Sequence, residues 1–314
     1  MTLPVPPAIS VVVPLYNKAP YLERFFESVR AQTFDAFEVV IVDDGSTDGS
    51  SELLARLIQD DSRFILHRQA NGGVSRARNA AIAACTGHWI AFLDADDEWH
   101  PAFLATIVDA TRRWPSAAMI CTAHETRMTG LPTTNNLGLL EADRPIDAAG
   151  YFAAWNAAGG PPVFIGATAI RRDCLERCGG FEPGMNLGEE LLTFIRVLEQ
   201  GELVFIDRVL AIYHLSRSGS LATSPSATAV RMHEYLLDAL RDQVRRGRCP
   251  EPVLARQLRI HVHHQMQHGM RRELWSSLRR APTLMPLRVW LLALLEFARL
   301  REPFRRLAGR TRPS

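Results

Sequence analysis

Lysine is almost absent from this chain of 314 residues, in which Lys18 is the single lysine and arginine supplies every other Lys-or-Arg position. Cysteine is also scarce. Its five residues are odd in number and scattered through apolar segments. This usage excludes a disulfide-dense secreted domain and indicates reduced thiols. Cys174 and Cys178 share a helix face by spacing, but no second pair of ligands lies beside them. We interpret them as small buried hydrophobes.

A leader pattern and a membrane-spanning run are missing too. The N-terminus has no basic segment and reaches Pro14 after a short apolar run, which is unlike a signal peptide. Residues 284–301 are rich in Leu, but they are too few and too charged to span a bilayer. Together these absences predict a cytoplasmic protein.

Glycine is missing after the first apolar run, where the sequence reads VVVPLYNKAP. A dinucleotide-binding oxidoreductase would carry G-x-G-x-x-G at this place. A sugar-nucleotidyltransferase would need a Gly-rich loop with Arg and Lys there. Both enzyme classes are therefore disfavoured.

Charge is unevenly distributed along a chain that is otherwise typical of soluble globular proteins, with 47% hydrophobic and 22% charged residues. From Arg241 onward, 17 Arg face five acidic residues, a net charge of +12 in a chain whose total is +2. A basic end suggests an anionic surface, either membrane or nucleic acid. Because lysine is nearly absent, we attribute the arginine content to a genomic composition bias and predict no nucleic-acid partner.

The most informative stretch is WIAFLDADDEW, residues 89–99. Five apolar or small residues predict a strand buried on both faces, and Asp94, Asp96 and Asp97 follow at its carboxyl end, where open α/β sheets bind ligands. Clustered carboxylates repel one another, so a hard divalent cation that also contacts substrate phosphates is the expected partner. The simpler alternative is a solvated acidic turn before the next helix.

Strand and helix patterns alternate around this stretch. Apolar strands are predicted at Ile9–Leu15, 37–42, 64–67 and 117–123, and a helix follows each of the first three. The second strand also ends in acids, Asp43 and Asp44. Such alternation predicts an α/β fold with a doubly wound, mostly parallel sheet.

The second half of the chain changes character. Residues 126–145 are predicted as a mobile loop, 163–170, 203–206 and 209–213 as strands, and 173–178 and 188–199 as helices. Only helices are predicted later, at 227–247, 251–270 and 284–301. We therefore expect a domain at 1–224, with a nucleotide-binding half at about 1–124 and an acceptor half at about 125–224. A helical, Arg-rich extension at 225–314 would follow. His261, His264 and His268 share one face there, but no carboxylate accompanies them in the sequence, which disfavours a metal site.

Six motifs occur in one order: ISVVVPLYN, VVIVDDGSTDGS, NGGVSRARNAAI, WIAFLDADD, GGFEP and GEELLTFIRVLEQG. In this order and spacing the chain resembles the family 2 glycosyltransferases over residues 9–220. The resemblance implies the GT-A fold and an inverting transfer of sugar from a nucleotide sugar, with UDP as the nucleotide, to an acceptor hydroxyl. Cell-surface polysaccharide or glycolipid synthesis would be its setting.

The resemblance also implies roles for single residues. Pro14 and Tyr16 would flank the uracil, Asp44 would accept from its N3–H with Asp43 adjacent, and either Arg76 or Arg78 would help hold the base or diphosphate. Asp94 and Asp96 would be the DxD pair, which contacts the ribose and a divalent metal, Mn²⁺ or Mg²⁺. A metal there would stabilise the charge that develops on the leaving diphosphate.

The family's general base is the Asp of a Glu-Asp pair that opens a helix ending in Arg. Here the pair is Glu189-Glu190, with Arg196 at the Arg position, so Glu190 is the predicted base and Glu189 its neighbour. Both are expected to be ionised near neutral pH, because they lie at a helix start. Ser216 stands where the family often has a metal-binding His, for which His214 could substitute.

The partners are predicted in the same way. The donor is a nucleotide sugar, and the acceptor is a saccharide or a lipid-linked saccharide. Residues 284–310 combine an apolar face with many Arg, which suggests peripheral contact with the inner face of the membrane. The rival interpretation is a non-catalytic nucleotide-sugar-binding or scaffold protein with the same fold.

Overall fold

The computed structural model describes residues 8–128, 134–185, 188–215, 230 and 232–280. Two compact units divide the chain, Met1–Ser224 and Pro225–Ser314. The first contains a mixed sheet with flanking helices, and the described part of the second is helical.

The strands of the first unit are β1 Ile9–Leu15, β2 Phe37–Asp43, β3 Phe64–Arg68, β4 Trp89–Phe92, β5 Glu98–Trp99, β6 Met119–Met128, β7 Thr134–Asn135, β8 Pro145–Ile146, β9 Thr168–Arg171 and β10 Leu203–Leu215. Its helices are α1 Leu22–Arg30, α2 Ser50–Ile58, α3 Val74–Ala84, α4 Phe103–Arg113, α5 Ala148–Ala158, α6 Arg172–Cys178 and α7 Glu189–Leu198. Short 3₁₀ turns precede α1 at Ala19–Tyr21 and β9 at Ile165–Ala167. The second unit contributes α8 Glu234–Arg245, α9 Glu251–Gln267 and α10 Arg271–Arg280.

One sheet carries these strands in the order β3-β2-β1-β4-β9-β6-β10-β5, with β7 on β6 and β8 on β10. Strands β3, β2, β1 and β4 are parallel neighbours, as are β6 and β10. Strand β9 joins the two groups and runs antiparallel to both β4 and β6. The mostly parallel α/β sheet expected from the strand–helix alternation is thus confirmed, with β9 as its antiparallel link.

Strands β1, β2 and β4 are the centre of this sheet because both their faces are covered. Every residue of β4 is buried, and all but one residue in each of β1 and β2 are buried. Unbroken runs of Val and Ile suit a strand with helices on both sides. The three strands run in the same direction, so their carboxyl ends meet at one edge of the sheet.

Four predictions of secondary structure were wrong. Helix α5 was not expected in the Ala-rich stretch after Asp147, although Asp147 caps it by accepting from Gly150 N at 2.8 Å. Helix α10 was not expected either. The predicted loop at 126–145 is partly strand, in β6, β7 and β8. Strand β10 is a single strand, because the polar pair Asp207 and Arg208 lies at a register shift rather than in a turn.

Helices α8, α9 and α10 of the second unit enclose a polar cluster. His261 is fully buried, and its Nε2 lies 2.8 Å from Oε1 of Glu234 and from Nε2 of Gln265. Ser277 donates to the same Glu234 oxygen at 3.1 Å. The prediction that no carboxylate accompanies these histidines was therefore wrong, because Glu234 reaches His261 from the preceding helix. The predicted helix at 284–301, like the far end of the basic segment, lies outside the described residues.

The described helices contain no segment with the length and apolar character needed to cross a membrane.

Candidate active site

The loops that follow β1 and β2 are joined to each other. Asn17 N donates to Ser46 Oγ at 3.0 Å, and Thr47 N donates to the Asn17 side chain at 2.8 Å. Asn17 has φ of 52°, a left-handed conformation that Asn tolerates better than most residues. Beside this turn Pro14 is half-buried and Tyr16 is 48% exposed, so Tyr16 has an aromatic face open to a ligand.

Asp43 and Asp44 at the end of β2 are buried and committed to the neighbouring loop. The Asp44 carboxylate accepts from Gln69 Nε2 at 2.7 Å and from the backbone N–H groups of Gly72 and Gly73 at 2.9 and 2.8 Å. Asp43 accepts from Ser46 N at 2.9 Å. A carboxylate has about four lone-pair sites, so the Asp44 carboxylate keeps capacity for one more donor.

The three acids after β4 separate into two environments. Asp94 and Asp96 are part-buried, with side chains 28% and 26% exposed. Asp97 is buried, and its Oδ1 accepts from His214 N at 2.8 Å, while Oδ2 has no partner in the described part of the chain. Burial, then Asp94 and Asp96, raise the pKa of Asp97 well above its ordinary value. Asp97 thus holds β10 through a hydrogen bond, whereas Asp94 and Asp96 are the two acids accessible to a ligand.

Arg78 connects these acids to helix α7. Its guanidinium is 3% exposed and pairs with Asp94 Oδ1 and Glu189 Oε1, each at 3.0 Å. It also lies 5.2 Å from the ring centroid of Phe181. Although burial opposes it, the neighbouring carboxylates, led by Asp94 and Glu189, raise the pKa of Arg78. The two candidate halves of the site, 95 residues apart in sequence, therefore share one cation.

Arg76 has a different position. It is exposed, and it lines an open cavity of about 620 Å³ with Gly72, Asn79, Pro183 and Gly184. The sequence left Arg76 and Arg78 as alternatives for contact with the nucleotide. The structure buries Arg78 between carboxylates and leaves Arg76 open to solvent.

Helix α3 also holds the turn that leads into α7. The Asn79 side chain donates to Phe181 O at 2.7 Å and accepts from Phe181 N at 2.9 Å. Ser75 Oγ donates to Met185 O at 2.5 Å. The NGGVSRARN and GGFEP motifs are thus joined by side-chain hydrogen bonds, and Arg78 of the first motif pairs with Glu189 at the start of α7.

Glu190 carries a carboxyl with a raised pKa. Burial, joined by the carboxyl of Glu189, raises the pKa of Glu190 to about 8, against the opposing effect of Arg78. The expectation that both residues are ionised near neutral pH was wrong for Glu190, because the cost of desolvation exceeds the favourable helix-end field. A carboxyl with this pKa suits proton transfer near neutral pH.

His214 is not directed at the Asp94–Asp96 pair. Its Nε2 lies 2.8 Å from Glu98 Oε1. Arg127 reaches the same Glu98 oxygen at 3.3 Å. The suggestion that His214 substitutes for the missing family His has no support in this geometry.

Two site residues were missed by the sequence analysis. Lys18 forms an ion pair with Asp96 Oδ2, and Tyr213 packs against Phe164 with ring centroids 4.6 Å apart. Burial, followed by Asp97, Asp94, Asp96 and Glu190, raises the pKa of Tyr213 to about 12, so its hydroxyl lies in the field of both groups of acids. Long-range proximity of this kind leaves no local signal in a sequence.

The donor set fits a divalent cation only in part. Among the described residues, no three His, Cys, Asp or Glu side chains converge as a complete metal site. Mg²⁺ and similar hard cations, however, commonly use one or two carboxylates and take their remaining ligands from substrate phosphates and water. Asp94 and Asp96 offer oxygen ligands of this type, and each has a second oxygen with no partner in the described part of the chain.

Comparison with known proteins decides the family. The model for glycosyl transferase family 2 matches residues 10–171, which include β1 to β4 and the Asp94–Asp96 pair. The chain belongs to glycosyl transferase family 2. The resemblance drawn from the six motifs is confirmed, and sugar transfer is the activity class of this family. Glu189 and Glu190 lie beyond the matched residues.

Relatives within the family match over about a third of the chain. A putative teichuronic acid biosynthesis glycosyltransferase, TuaG of Bacillus subtilis, is 39% identical over 94 residues, 30% of this chain and 37% of that protein. The chain spans about a third of the length of the curated relatives it matches.

Solved structures extend the likeness in fold to most of the chain. TarS from S. aureus, residues 1–349 in complex with UDP-GlcNAc, has a TM-score of 0.69 at 17% identity and covers 92% of this chain and 87% of that one. The mannosyltransferase PcManGT from Pyrobaculum calidifontis, in complex with GDP-Man and Mn²⁺, has a TM-score of 0.55 at 21% identity and covers 98% and 84%. The GT-A fold is thereby confirmed.

Proposed function

We propose that this family 2 glycosyltransferase moves a sugar from a UDP-sugar to an acceptor hydroxyl with inversion at the anomeric carbon. One observation carries the proposal: Arg78 holds Asp94, at the end of β4, and Glu189, at the start of α7, within one 3.0 Å ion-pair network. The network supports a single site, because it links a donor-side carboxylate to Glu189, the neighbour of the candidate general base.

The nucleotide would lie across the carboxyl ends of β1 and β2. Tyr16 presents an exposed ring for stacking, with Pro14 beside it, and Asp44 keeps one acceptor position for a base N–H, supported by Asp43. Exposed Arg76 is the better of the two arginines for direct contact with the nucleotide, because Arg78 is already shared by two carboxylates. The UDP-GlcNAc complex of the fold neighbour TarS supports a uridine nucleotide.

A divalent cation, Mn²⁺ or Mg²⁺, would be held by Asp96 with Asp94, and it would offset the charge on the diphosphate leaving group. The Mn²⁺ complex of the fold neighbour PcManGT supports this assignment. Asp94 would in addition contact the ribose.

Glu190 would act as the general base. In its ionised form it accepts the proton of the acceptor hydroxyl, whose oxygen then bonds to the anomeric carbon as the bond to the diphosphate oxygen breaks on the opposite face. Glu189 would orient the site through Arg78 rather than take the proton.

The acceptor would be a saccharide or lipid-linked saccharide in the synthesis of cell-surface polysaccharide or glycolipid. The similarity to TuaG, whose name places it in teichuronic acid biosynthesis, supports this setting. The enzyme would work in the cytoplasm, at the inner face of the membrane, where residues 284–310 would make peripheral contact. The donor would bind to the nucleotide-binding half at about 1–124, and the acceptor would bind to the acceptor half at about 125–224. The helical extension at 225–314 would follow them.

A panel of UDP- and GDP-sugars with Mn²⁺ or Mg²⁺ tests the proposal, with thermal stabilisation and sugar release as readouts. We expect one UDP-sugar to raise the melting temperature and to be hydrolysed slowly. Stabilisation without hydrolysis, and without transfer to any saccharide acceptor, would favour the non-catalytic binding protein instead.

A further inference from the structure

The side chain of Lys18 forms an ion pair with a carboxylate that we assign to the metal. Its Nζ pairs with Asp96 Oδ2, and its side chain is 34% exposed against 26% for that of Asp96. Lys18 is also the only lysine in the sequence. The chain thus places its one lysine side chain on one of the two accessible acids of the site.

The backbone around Lys18 fixes this position. Lys18 N donates to Ser50 Oγ at 2.8 Å, and Ala19 N donates to Asp48 Oδ2 at 3.1 Å. Asn17, in its left-handed conformation, is bonded to Ser46 and Thr47 on the other side. Because these contacts tie the β1 loop to the β2 loop on both sides of Lys18, its side chain leaves a fixed point of the backbone.

Asp96 is held from a second direction. Arg24 donates from Nη2 to the backbone oxygen of Asp96, and both cations lie near the Tyr21 ring, with centroid distances of 5.6 Å to Arg24 Cζ and 5.8 Å to Lys18 Nζ. Arg24 contacts the backbone of Asp96, so in the described part of the chain Lys18 is the one cationic side chain paired with the Asp96 carboxylate. An ammonium is a compact point charge that forms no bidentate fork with a carboxylate, so it can be exchanged for another cation.

We propose that Lys18 is an internal competitor for the metal carboxylate: its ammonium occupies Asp96 and must be displaced before a divalent cation can bind there. This inference rests on the proposed metal role of Asp96. It makes binding of the free metal weak and couples metal binding to arrival of the nucleotide, because the diphosphate supplies the ligands and the negative charge that favour the exchange. Lys18 is thus a positioning residue that lowers the affinity of the site for the metal when no nucleotide is bound.

Titration of Mn²⁺ into the full chain without nucleotide, followed by the free-Mn²⁺ electron paramagnetic resonance signal, tests the proposal. Lys18→Met keeps the side-chain length and removes the charge, so we expect Mn²⁺ to bind roughly tenfold more tightly than in the parent. Lys18→Arg keeps the charge and can hold the carboxylate with a bidentate fork, so Mn²⁺ should bind no more tightly than in the parent. Arg112→Met, which removes one exposed positive charge on α4, measures the general electrostatic effect and should also stay within about twofold.

Parental or weaker Mn²⁺ binding by Lys18→Met would overturn the proposal, and so would equal tightening in Lys18→Met and Lys18→Arg. The same titration with saturating UDP separates this failure from failure of the proposed function. If the parent binds Mn²⁺ with UDP but Lys18→Met shows no gain without it, only the role of Lys18 is wrong. If no variant binds Mn²⁺ even with UDP, the metal assignment itself fails, and the competitor role with it.

Discussion

Individual side chains show how far the site follows from the sequence. The acids after β2 and β4 and the pair at the start of α7 could be located in advance, because each lies directly at the end of a predicted element. Lys18 could not be placed, since its partner Asp96 is 78 residues away and no motif between them predicts the contact. The raised pKa of Glu190 depends on burial, which no local pattern shows.

Substitution of the two adjacent glutamates separates catalysis from structure. Glu190→Gln removes the proposed proton acceptor, so turnover should fall by about 10² to 10⁴ while UDP affinity stays parental. Glu189→Gln instead deprives buried Arg78 of one of its carboxylates and should lower the free energy of unfolding by about 1–3 kcal/mol. Steady-state kinetics and thermal melts of both variants check this. If Glu190→Gln keeps near-parental turnover, another residue must act as the general base.

The pH profile of the parent enzyme provides a second test of the same residue. A base must be deprotonated to act, and the pKa of Glu190 is raised to about 8, so the active form increases as pH rises toward that value. We expect kcat/KM to climb about tenfold per pH unit below the pKa and to level off above it. Initial rates between pH 6 and 9 measure this, and a flat profile would contradict it.

Secondary-structure elements were predicted well where apolar periodicity was strong. Strands β1 to β4 and helices α1 to α3 lie where the alternation put them, because buried parallel strands need continuous Val and Ile runs. Helix α5 was missed because its Ala and aromatic residues show little periodicity, so only the cap at Asp147 and the left-handed Gly159 marked its ends. Strand β10 appeared as two strands, since polar residues at a register shift resemble a turn.

Helix α3 supports α7 through its side chains, and this support can be tested. Asn79→Ala leaves the N–H and C=O of Phe181 without their partner, so we expect a loss of about 1–3 kcal/mol in the free energy of unfolding. Turnover should fall as well, because the turn fixes Glu189 and Glu190. Arg76→Ala on the exposed face of α3 is the control for stability. If Asn79→Ala and the parent are equally stable in urea denaturation, the hydrogen bonds from Asn79 do not stabilise the turn.

The whole molecule combines two units of different charge, and the basic end gives a prediction of its own. Residues 284–310 lie outside the described part of the chain, so their proposed membrane contact rests on their sequence. Each Arg near an anionic surface contributes about 1 kcal/mol, so several would give measurable binding. Flotation with anionic liposomes should recover the full chain at low salt and release it at high salt. If the protein is absent from the floating fraction at low salt, the segment does not bind membrane and is instead a surface for packing or for oligomer formation.

The central claim for the molecule is that the end of β4 and the start of α7 serve one reaction in separate roles. Calorimetric titration of UDP with Mn²⁺ into Asp96→Ala and Glu190→Gln measures this most directly. The account predicts that metal-dependent UDP binding is lost in Asp96→Ala, because the metal has lost its carboxylate, and is parental in Glu190→Gln. Unchanged metal-dependent affinity in Asp96→Ala would contradict the account.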